Sequence, residues 1–145
     1  MVTKNYLAKY AKSFNWAGSF LPQETYQKCS SLYDFCRIAD NIADDKNEMT
    51  IKQKNFLNLK NDFQNKNYAD PIIKSIWDLI NEFNISKKIV NDLFEGISSD
   101  IKEKVIFNSK KELLIYSYRV AGTVGLMMAK ILKVKKEQSL KSAID

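Results

Sequence analysis

Residues 22–45 read PQETYQKCSSLYDFCRIADNIADD, and this stretch decides the fold. Its spacing predicts one long helix, because residues three and four apart form a continuous stripe along one side. The stripe consists of Tyr26, Cys29, Tyr33, Cys36, Asp40 and Ala43. It begins apolar and turns acidic at Asp40, which a helix packed only against a core would not do. The stretch therefore predicts an inward helix face that ends at a buried polar site.

Four polar residues share one face at the end of this helix. They are Tyr33, Arg37, Asp40 and Asp44, spaced by four, three and four residues. Two carboxylates one turn apart repel each other, so a cation is expected between them. Mg2+ is the favoured ion, with Mn2+ as the alternative, because it takes carboxylate oxygens and leaves positions open for phosphate oxygens. A solvated acidic face and a structural ion pair from Arg37 are the simpler interpretations that remain.

The composition narrows the class of protein. The 145 residues are 45% hydrophobic and carry a net charge of +6 without any histidine. The commonest general base and transition-metal ligand is therefore missing. Lysines spread along the chain argue against a nucleic-acid partner, but they favour anionic ligands or an anionic membrane surface. Neither a signal peptide nor a membrane-spanning run is found, so a cytoplasmic, at most membrane-peripheral, protein is expected.

The remainder of the chain predicts further helices and no strand, which indicates an all-α class. A first helix is predicted over residues 3–14. Later helices are predicted to begin at a capping box of Thr50 and Gln53, at Asp70 with Pro71, at Ser86, and at a capping box of Ser109 and Glu112. The last of these is expected to run to Lys133, and another helix to open at Lys136.

A second unusual stretch, YSYRVAGTVGLMMA, occupies residues 116–129. Two glycines within four residues cost a helix about 1 kcal/mol each relative to alanine. Either another helix or a ligand must approach closely to offset that cost. Such a smooth strip beside an acidic helix is also suited to form one wall of a cavity for a long apolar substrate.

These stretches together resemble the squalene and phytoene synthase family, the head-to-head branch of the trans-isoprenyl diphosphate synthases. KSFNWAGSFLP, residues 12–22, is similar to the family's N-terminal Ser-Phe segment. LYDFCRIADNIADD, residues 32–45, resembles its first aspartate-rich motif. FEGISSDI, residues 94–101, and YSYRVAGTVGLM, residues 116–127, resemble its Gly-x-x-x-Asp and Val-Ala-Gly segments. The resemblance implies an isoprenoid-synthase-type helical bundle, truncated to its N-terminal helices.

The resemblance also implies a role for individual residues. Asp40 and Asp44 would bind Mg2+ that bridges to a substrate diphosphate. The implied substrate-binding residues are Lys12, Ser13, Phe14, Tyr33, Arg37, Val120 and Gly125. Tyr116 would lie near the reacting carbons and, together with Arg37 and the two aspartates, would act in catalysis. Asp100 is left undecided between the cavity and an exposed helix end.

The implied reaction joins two geranylgeranyl diphosphates head to head, giving phytoene through a cyclopropylcarbinyl diphosphate. Squalene-type or dehydrosqualene-type condensation of farnesyl diphosphate is the alternative, and a non-catalytic helical binding protein is a third interpretation. The family's second aspartate-rich motif would fall after Asp145. Residues 1–145 are thus expected to be part of a single domain, with little or no turnover alone. Oligomeric state cannot be read from the sequence.

Overall fold

The structure is a computed structural model that describes residues 6–102, 106–134, 141, 142 and 144. The described residues contain helices and no strand, which confirms the all-α prediction. The helices are α1 (Tyr6–Tyr10), α2 (Lys12–Gly18), α3 (Gln23–Asp44), α4 (Met49–Gln64), α5 (Pro71–Glu82), α6 (Lys87–Ile101), α7 (Lys110–Ser117), a π-helical turn (Tyr118–Gly122) and α8 (Thr123–Ile131). None of these helices is both long enough and apolar enough to cross a membrane.

Helix α3 lies at the centre and packs against α1, α4, α5, α6 and α8. Its Leu32 and Phe35 are completely buried. The ring of Phe94 on α6 lies 6.0 Å from the ring of Phe35 and 5.4 Å from that of Phe63. Phe63 in turn stacks on Trp77, whose indole N–H donates to the Phe63 carbonyl at 2.9 Å. The core is therefore an aromatic cluster between α3, α4, α5 and α6.

The sequence predicted that the inward stripe of α3 ends at a buried polar site, but the structure leaves Asp40 at that end only partly buried. The deepest face of the helix passes through Leu32, Phe35 and Ala39, one position away from the stripe. Tyr33 and Asp40 are only half-buried. The shift occurs because the most apolar face of α3 packs against the aromatic core. The polar face of the helix therefore lies at the edge of that core.

Three predicted helix starts are confirmed by their capping bonds. The Asp70 carboxylate accepts from the Ile72 N–H at 2.8 Å, at the start of α5. Ser86 accepts from the backbone N–H two residues later, at the start of α6. The Ser109 hydroxyl accepts from the Glu112 N–H at 3.2 Å. Local side-chain chemistry therefore sets these three boundaries.

Three other boundaries differ from their predictions. The first helix breaks at Ala11 into α1 and α2, and its residues 3–5 lie outside the described part. Helix α4 begins at Met49, so the capping box predicted at Thr50 does not form. The helix predicted from Ser109 to Lys133 is interrupted by the π-helical turn. The helix start predicted at Lys136 lies outside the described residues.

Helix α1 is attached to α3 by a buried carboxylate. Asp34 is completely buried, and its Oδ1 accepts from the Tyr6 N–H at 2.8 Å. Burial raises the pKa of Asp34, while the bond from Tyr6 opposes that rise. The contact places Leu7 of α1 in the core of the bundle, beside the cavity described below.

Candidate functional site

Two adjoining cavities open beside α3, on the side away from the aromatic core. A polar cleft of about 190 Å³ lies between α3, α6 and the π-helical turn. An apolar cavity of about 550 Å³ lies between α1, α2, α3 and α8. The two share the side chains of Tyr33, Val120 and Val124. A ligand with a charged head and a long apolar chain would fit across this shared wall.

Arg37 is the cation of the polar cleft. Its Nη1 donates to Asp40 Oδ2 at 2.8 Å, so the ion pair left open by the sequence is present. Its guanidinium carbon also lies 5.4 Å from the centre of the Tyr10 ring. Its Nε–H is buried and has no hydrogen-bond partner in the described part of the protein. Arg37 is thus fixed from two sides, and its guanidinium keeps N–H groups for a further acceptor.

The carboxylates of the cleft crowd one another. The pKa of Asp40 is raised by its burial and, to a smaller extent, by the charges of Asp44 and Asp100, while Arg37 opposes the rise. Asp44 itself is exposed at the end of α3 and lines neither cavity. One guanidinium therefore does not neutralise the acidic groups, and an added cation would stabilise their charged forms.

Asp100 joins the site, although the sequence left its position undecided. It lines the polar cleft, and its Oδ1 accepts from the Tyr116 hydroxyl at 2.6 Å. That hydrogen bond, followed by burial and the negative charge of Asp100, raises the pKa of Tyr116 to about 12. Spacing along α6 alone could not reveal this pairing, because Tyr116 belongs to a different helix. Tyr116 is thereby held beside the cleft without lining either cavity.

The close approach predicted for the glycine-rich stretch occurs at Gly122, which lies close to Ile144, and a tighter one occurs at a glycine on the neighbouring helix. A Cβ added to Gly96 of α6 would lie 2.8 Å from Val120 Cγ1 and 3.1 Å from the backbone carbon of Arg119. The π-helical turn therefore rests directly on α6 at this point. This contact places Val120 in the wall between the two cavities. π-Helical turns of this kind often occur at functional sites.

Apolar side chains dominate the larger cavity. Gly125 and Val120, both predicted to bind substrate, line it together with Phe14. The other lining residues are Leu7, Tyr33, Ala121, Val124, Met128, Ala129, Leu132 and Val134. Lys12 and Ser13 are exposed on α2 and line neither cavity. The structure thus brings Tyr33, Arg37, Asp40, Val120 and Gly125 together and leaves Lys12 and Ser13 outside the cavity walls.

The cleft fits Mg2+ only as a half-site. Among the described residues, no three acidic or cysteine side chains are grouped closely enough to hold an ion by themselves. Mg2+ is often bound by one or two carboxylates together with phosphate oxygens and water. Asp40 in the cleft and Asp44 at the exposed end of α3 supply that number of carboxylates, and the charge of Asp44 adds to the burial that raises the pKa of Asp40. These residues therefore suit an ion that arrives with a phosphate ligand.

The described residues form an all-α bundle with paired aspartates beside an apolar cavity, which is consistent with the isoprenoid-synthase class of folds. Within that class the chain belongs to the squalene/phytoene synthase family, whose profile matches residues 7–145. It is 29% identical to phytoene synthase 1, chloroplastic, of Solanum lycopersicum, over 90% of this chain and 32% of that protein. It is 26% identical to phytoene synthase of Pseudescherichia vulneris, over 96% of this chain and 48% of that protein. The chain spans about a third to a half of the length of these relatives.

Proposed function

We propose that this chain forms the first diphosphate-binding site of a head-to-head prenyltransferase that makes phytoene from two geranylgeranyl diphosphates. The observation that carries the proposal is the shared wall of Tyr33, Val120 and Val124 between the polar cleft and the apolar cavity. A prenyl diphosphate has the same two-part chemistry, and its first carbon would lie at that wall. The curated relatives named phytoene synthase support the choice of product.

Arg37 and the two aspartates would bind the diphosphate in different ways. The guanidinium of Arg37, whose side chain is 31% exposed, would donate to a diphosphate oxygen, while its bond to Asp40 keeps it in place. Asp40 and Asp44 would hold Mg2+, which supplies positive charge to the leaving diphosphate when bound. Tyr33 would contact the same diphosphate from the wall of the cleft.

The reaction needs a dry cavity as well as a stabilised leaving group. In the first step the bond between C1 and the diphosphate oxygen of one substrate breaks and leaves an allylic cation. The double bond of the second substrate attacks this cation, and loss of a proton gives a cyclopropylcarbinyl diphosphate. Loss of the second diphosphate, rearrangement and a second proton loss then give the C1-to-C1′ linked product. Val120, Gly125 and the other apolar wall residues would exclude water from the cations.

We expect this chain to bind substrate without converting it to product. The resemblance to the family implies a second aspartate-rich motif that is not found within these 145 residues. We therefore expect the chain to bind one prenyl diphosphate with Mg2+ and to show little or no turnover alone. Calorimetry with a non-hydrolysable geranylgeranyl diphosphate analogue, with and without Mg2+, tests the binding step directly.

The decisive comparison uses two double variants. Asp40→Asn with Asp44→Asn should weaken Mg2+-dependent binding by at least about 30-fold, since each change removes an oxygen ligand with full charge. Asp45→Asn with Asp78→Asn removes the same charge from exposed positions that line neither cavity, so binding should be retained. Binding that needs no Mg2+, or that survives in the first variant, would contradict the proposal. A farnesyl analogue that binds better than the geranylgeranyl one would favour the 15-carbon alternative.

A further inference from the structure

Asp34 of α3 is a buried carboxylate that lines neither cavity. Its Oδ1 accepts from the Tyr6 N–H at 2.8 Å, and its Oδ2 is buried without a hydrogen-bond partner in the described part of the protein. A half-satisfied carboxylate in a protein interior costs stability, and an apolar side chain of similar size would pack there more favourably. The presence of this group therefore calls for an explanation other than the stability of the core.

The bond from Tyr6 attaches helix α1, and α1 carries one residue for each side of the candidate site. Leu7 is buried and lines the apolar cavity. The Tyr10 ring lies on the guanidinium of Arg37, with 5.4 Å between the ring centre and the guanidinium carbon. The ring of Tyr6 stacks on that of Tyr10 at 5.9 Å. The place of α1 thus determines both a contact of the cleft's cation and part of the cavity wall.

A helix as short as α1 needs an attachment to hold this place. It has five residues, which is fewer than an isolated helix needs to be stable in water. Asp34 belongs to the central helix α3, one turn before Arg37, so its carboxylate fixes the start of α1 relative to the guanidinium. We propose that Asp34 is a positioning residue of the diphosphate site, which holds α1 so that Tyr10 lies on Arg37 and Leu7 lies in the cavity wall. Its effect on binding rests on the proposed function, whereas the contact between Tyr10 and Arg37 does not.

The arginines of the chain make this positioning observable by NMR. The sequence has two, Arg37 and Arg119, and the Nε–H of Arg37 is buried, which slows its exchange with water. An aromatic ring moves the signal of a group above its face upfield. In the ¹⁵N-labelled chain, with signals assigned through Arg119→Lys, the Arg37 Nε–H signal should move downfield in Tyr10→Leu and also in Asp34→Ala. Asp34→Asn keeps an oxygen that accepts from Tyr6 and should leave the signal near its original position.

Calorimetry with the geranylgeranyl diphosphate analogue and Mg2+ measures the consequence for binding. Asp34→Ala should weaken binding at least about tenfold, as is common when a residue that orients a binding group is removed, and Asp34→Asn should restore most of the affinity. In a Tyr10→Leu background Asp34→Ala should cause a smaller further loss, because one contact through which Asp34 acts is already absent. Ile80→Ala is the control, since Ile80 is buried in the core and lines neither cavity. It should lower the resistance to urea without changing the arginine signal or the affinity of the folded protein.

Two changes at Tyr6 decide the matter if Asp34→Ala does not fold. Tyr6→Pro removes the N–H while suiting the first position of a helix, whereas Tyr6→Leu keeps the N–H and removes the ring. The Arg37 signal should move further, and the affinity fall further, in Tyr6→Pro than in Tyr6→Leu. An unmoved signal with unchanged affinity in folded Asp34→Ala, or equal effects of the two Tyr6 variants, would overturn the proposal. If the unchanged chain binds no analogue, the proposed function fails, while the arginine signal still shows whether Asp34 sets the contact between Tyr10 and Arg37.

Discussion

Helix α3 divides the molecule into two regions that use the same helix differently. On one side Leu32, Phe35 and Ala39 are completely buried against the aromatic core. On the other side Arg37 and Asp40 line an open cleft, with side chains that are 31% and 47% exposed. The burial of apolar side chains in the first region stabilises the fold, whereas the second region holds charged groups that are partly removed from water.

The difference shows how stability and function are separated within one helix. The pKa of Asp40 is raised by its burial and by its acidic neighbours, so its charged form costs stability at neutral pH. The aromatic core offsets such costs through packing that makes no use of charge. We therefore expect changes in the core to alter the free energy of unfolding and changes in the cleft to alter ligand binding.

The largest expected effect comes from removing a ring from the core. Phe94→Ala should lower the free energy of unfolding by about 3–5 kcal/mol, because it leaves a cavity between Phe35, Phe56 and Phe63. Urea unfolding followed by circular dichroism measures this loss. Leu57→Ala, at a site 55% exposed, is the matched control and should change stability by less than about 0.5 kcal/mol.

Phe94→Ala also tests whether the core and the cleft act independently. Phe94 lines neither cavity, so the protein that remains folded should bind the diphosphate analogue with Mg2+ as before. A large loss of affinity, measured without urea on fully folded protein, would show that the core and the cleft are coupled. A loss of stability below about 1 kcal/mol would contradict the central place assigned to the aromatic cluster.

Sequence predicted the local parts of this structure better than the parts set by packing. Asp70, Ser86 and Ser109 cap their helices as predicted, since each cap depends on a backbone N–H only two or three residues away. The break at Ala11 was not predicted. It accompanies the attachment of Tyr6 to the buried Asp34, which is distant in the chain.

The candidate site shows the same limit. Helical spacing was sufficient to group Arg37 with Asp40, because both lie on α3. It could not pair Asp100 with Tyr116 or place a π-helical turn against Gly96, since both depend on how two helices dock. It did predict a close approach at the glycine-rich stretch, and the structure assigns the tightest contact to the facing glycine.

The contact between α6 and the π-helical turn can be tested by adding a single methyl group at Gly96. Gly96→Ala should gain about 1 kcal/mol from helix propensity but lose about 1–3 kcal/mol to overlap, because the backbone of Arg119 cannot move aside as a side-chain tip can. We expect a net loss of stability together with weaker binding of the analogue, since Val120 would shift in the wall of both cavities.

A neighbouring residue supplies the control for that experiment. Ser98→Ala adds no new atoms against the π-helical turn and should change stability by less than about 0.5 kcal/mol. Urea unfolding and calorimetry are applied to both variants. A Gly96→Ala protein that is more stable than the unchanged one, with unchanged affinity, would show that the two helices are not held in contact at this point.

The smallest expected effect is electrostatic and concerns Tyr116 alone. Its pKa is raised to about 12, first through its hydrogen bond to Asp100. Asp100→Asn keeps an oxygen that can accept this bond but removes the charge, so the pKa should fall toward the ordinary value near 10. Tyrosinate absorbance measured against pH, with Tyr116→Phe subtracted, isolates this one hydroxyl. An unchanged pKa in Asp100→Asn would mean that the charge of Asp100 does not act on Tyr116.

The sign of the accompanying stability change follows from the raised pKa. Below about pH 10, Tyr116 is protonated in the folded and unfolded chains alike, and its favourable contribution is fully present. Between about pH 10 and pH 12 only the unfolded chain loses the proton, so stability falls as pH rises. In Asp100→Asn that alkaline loss should shrink, because the folded and unfolded pKa values come closer together. Phe94→Ala changes neither Tyr116 nor Asp100, so it should leave their alkaline contribution unchanged and lower stability at every pH.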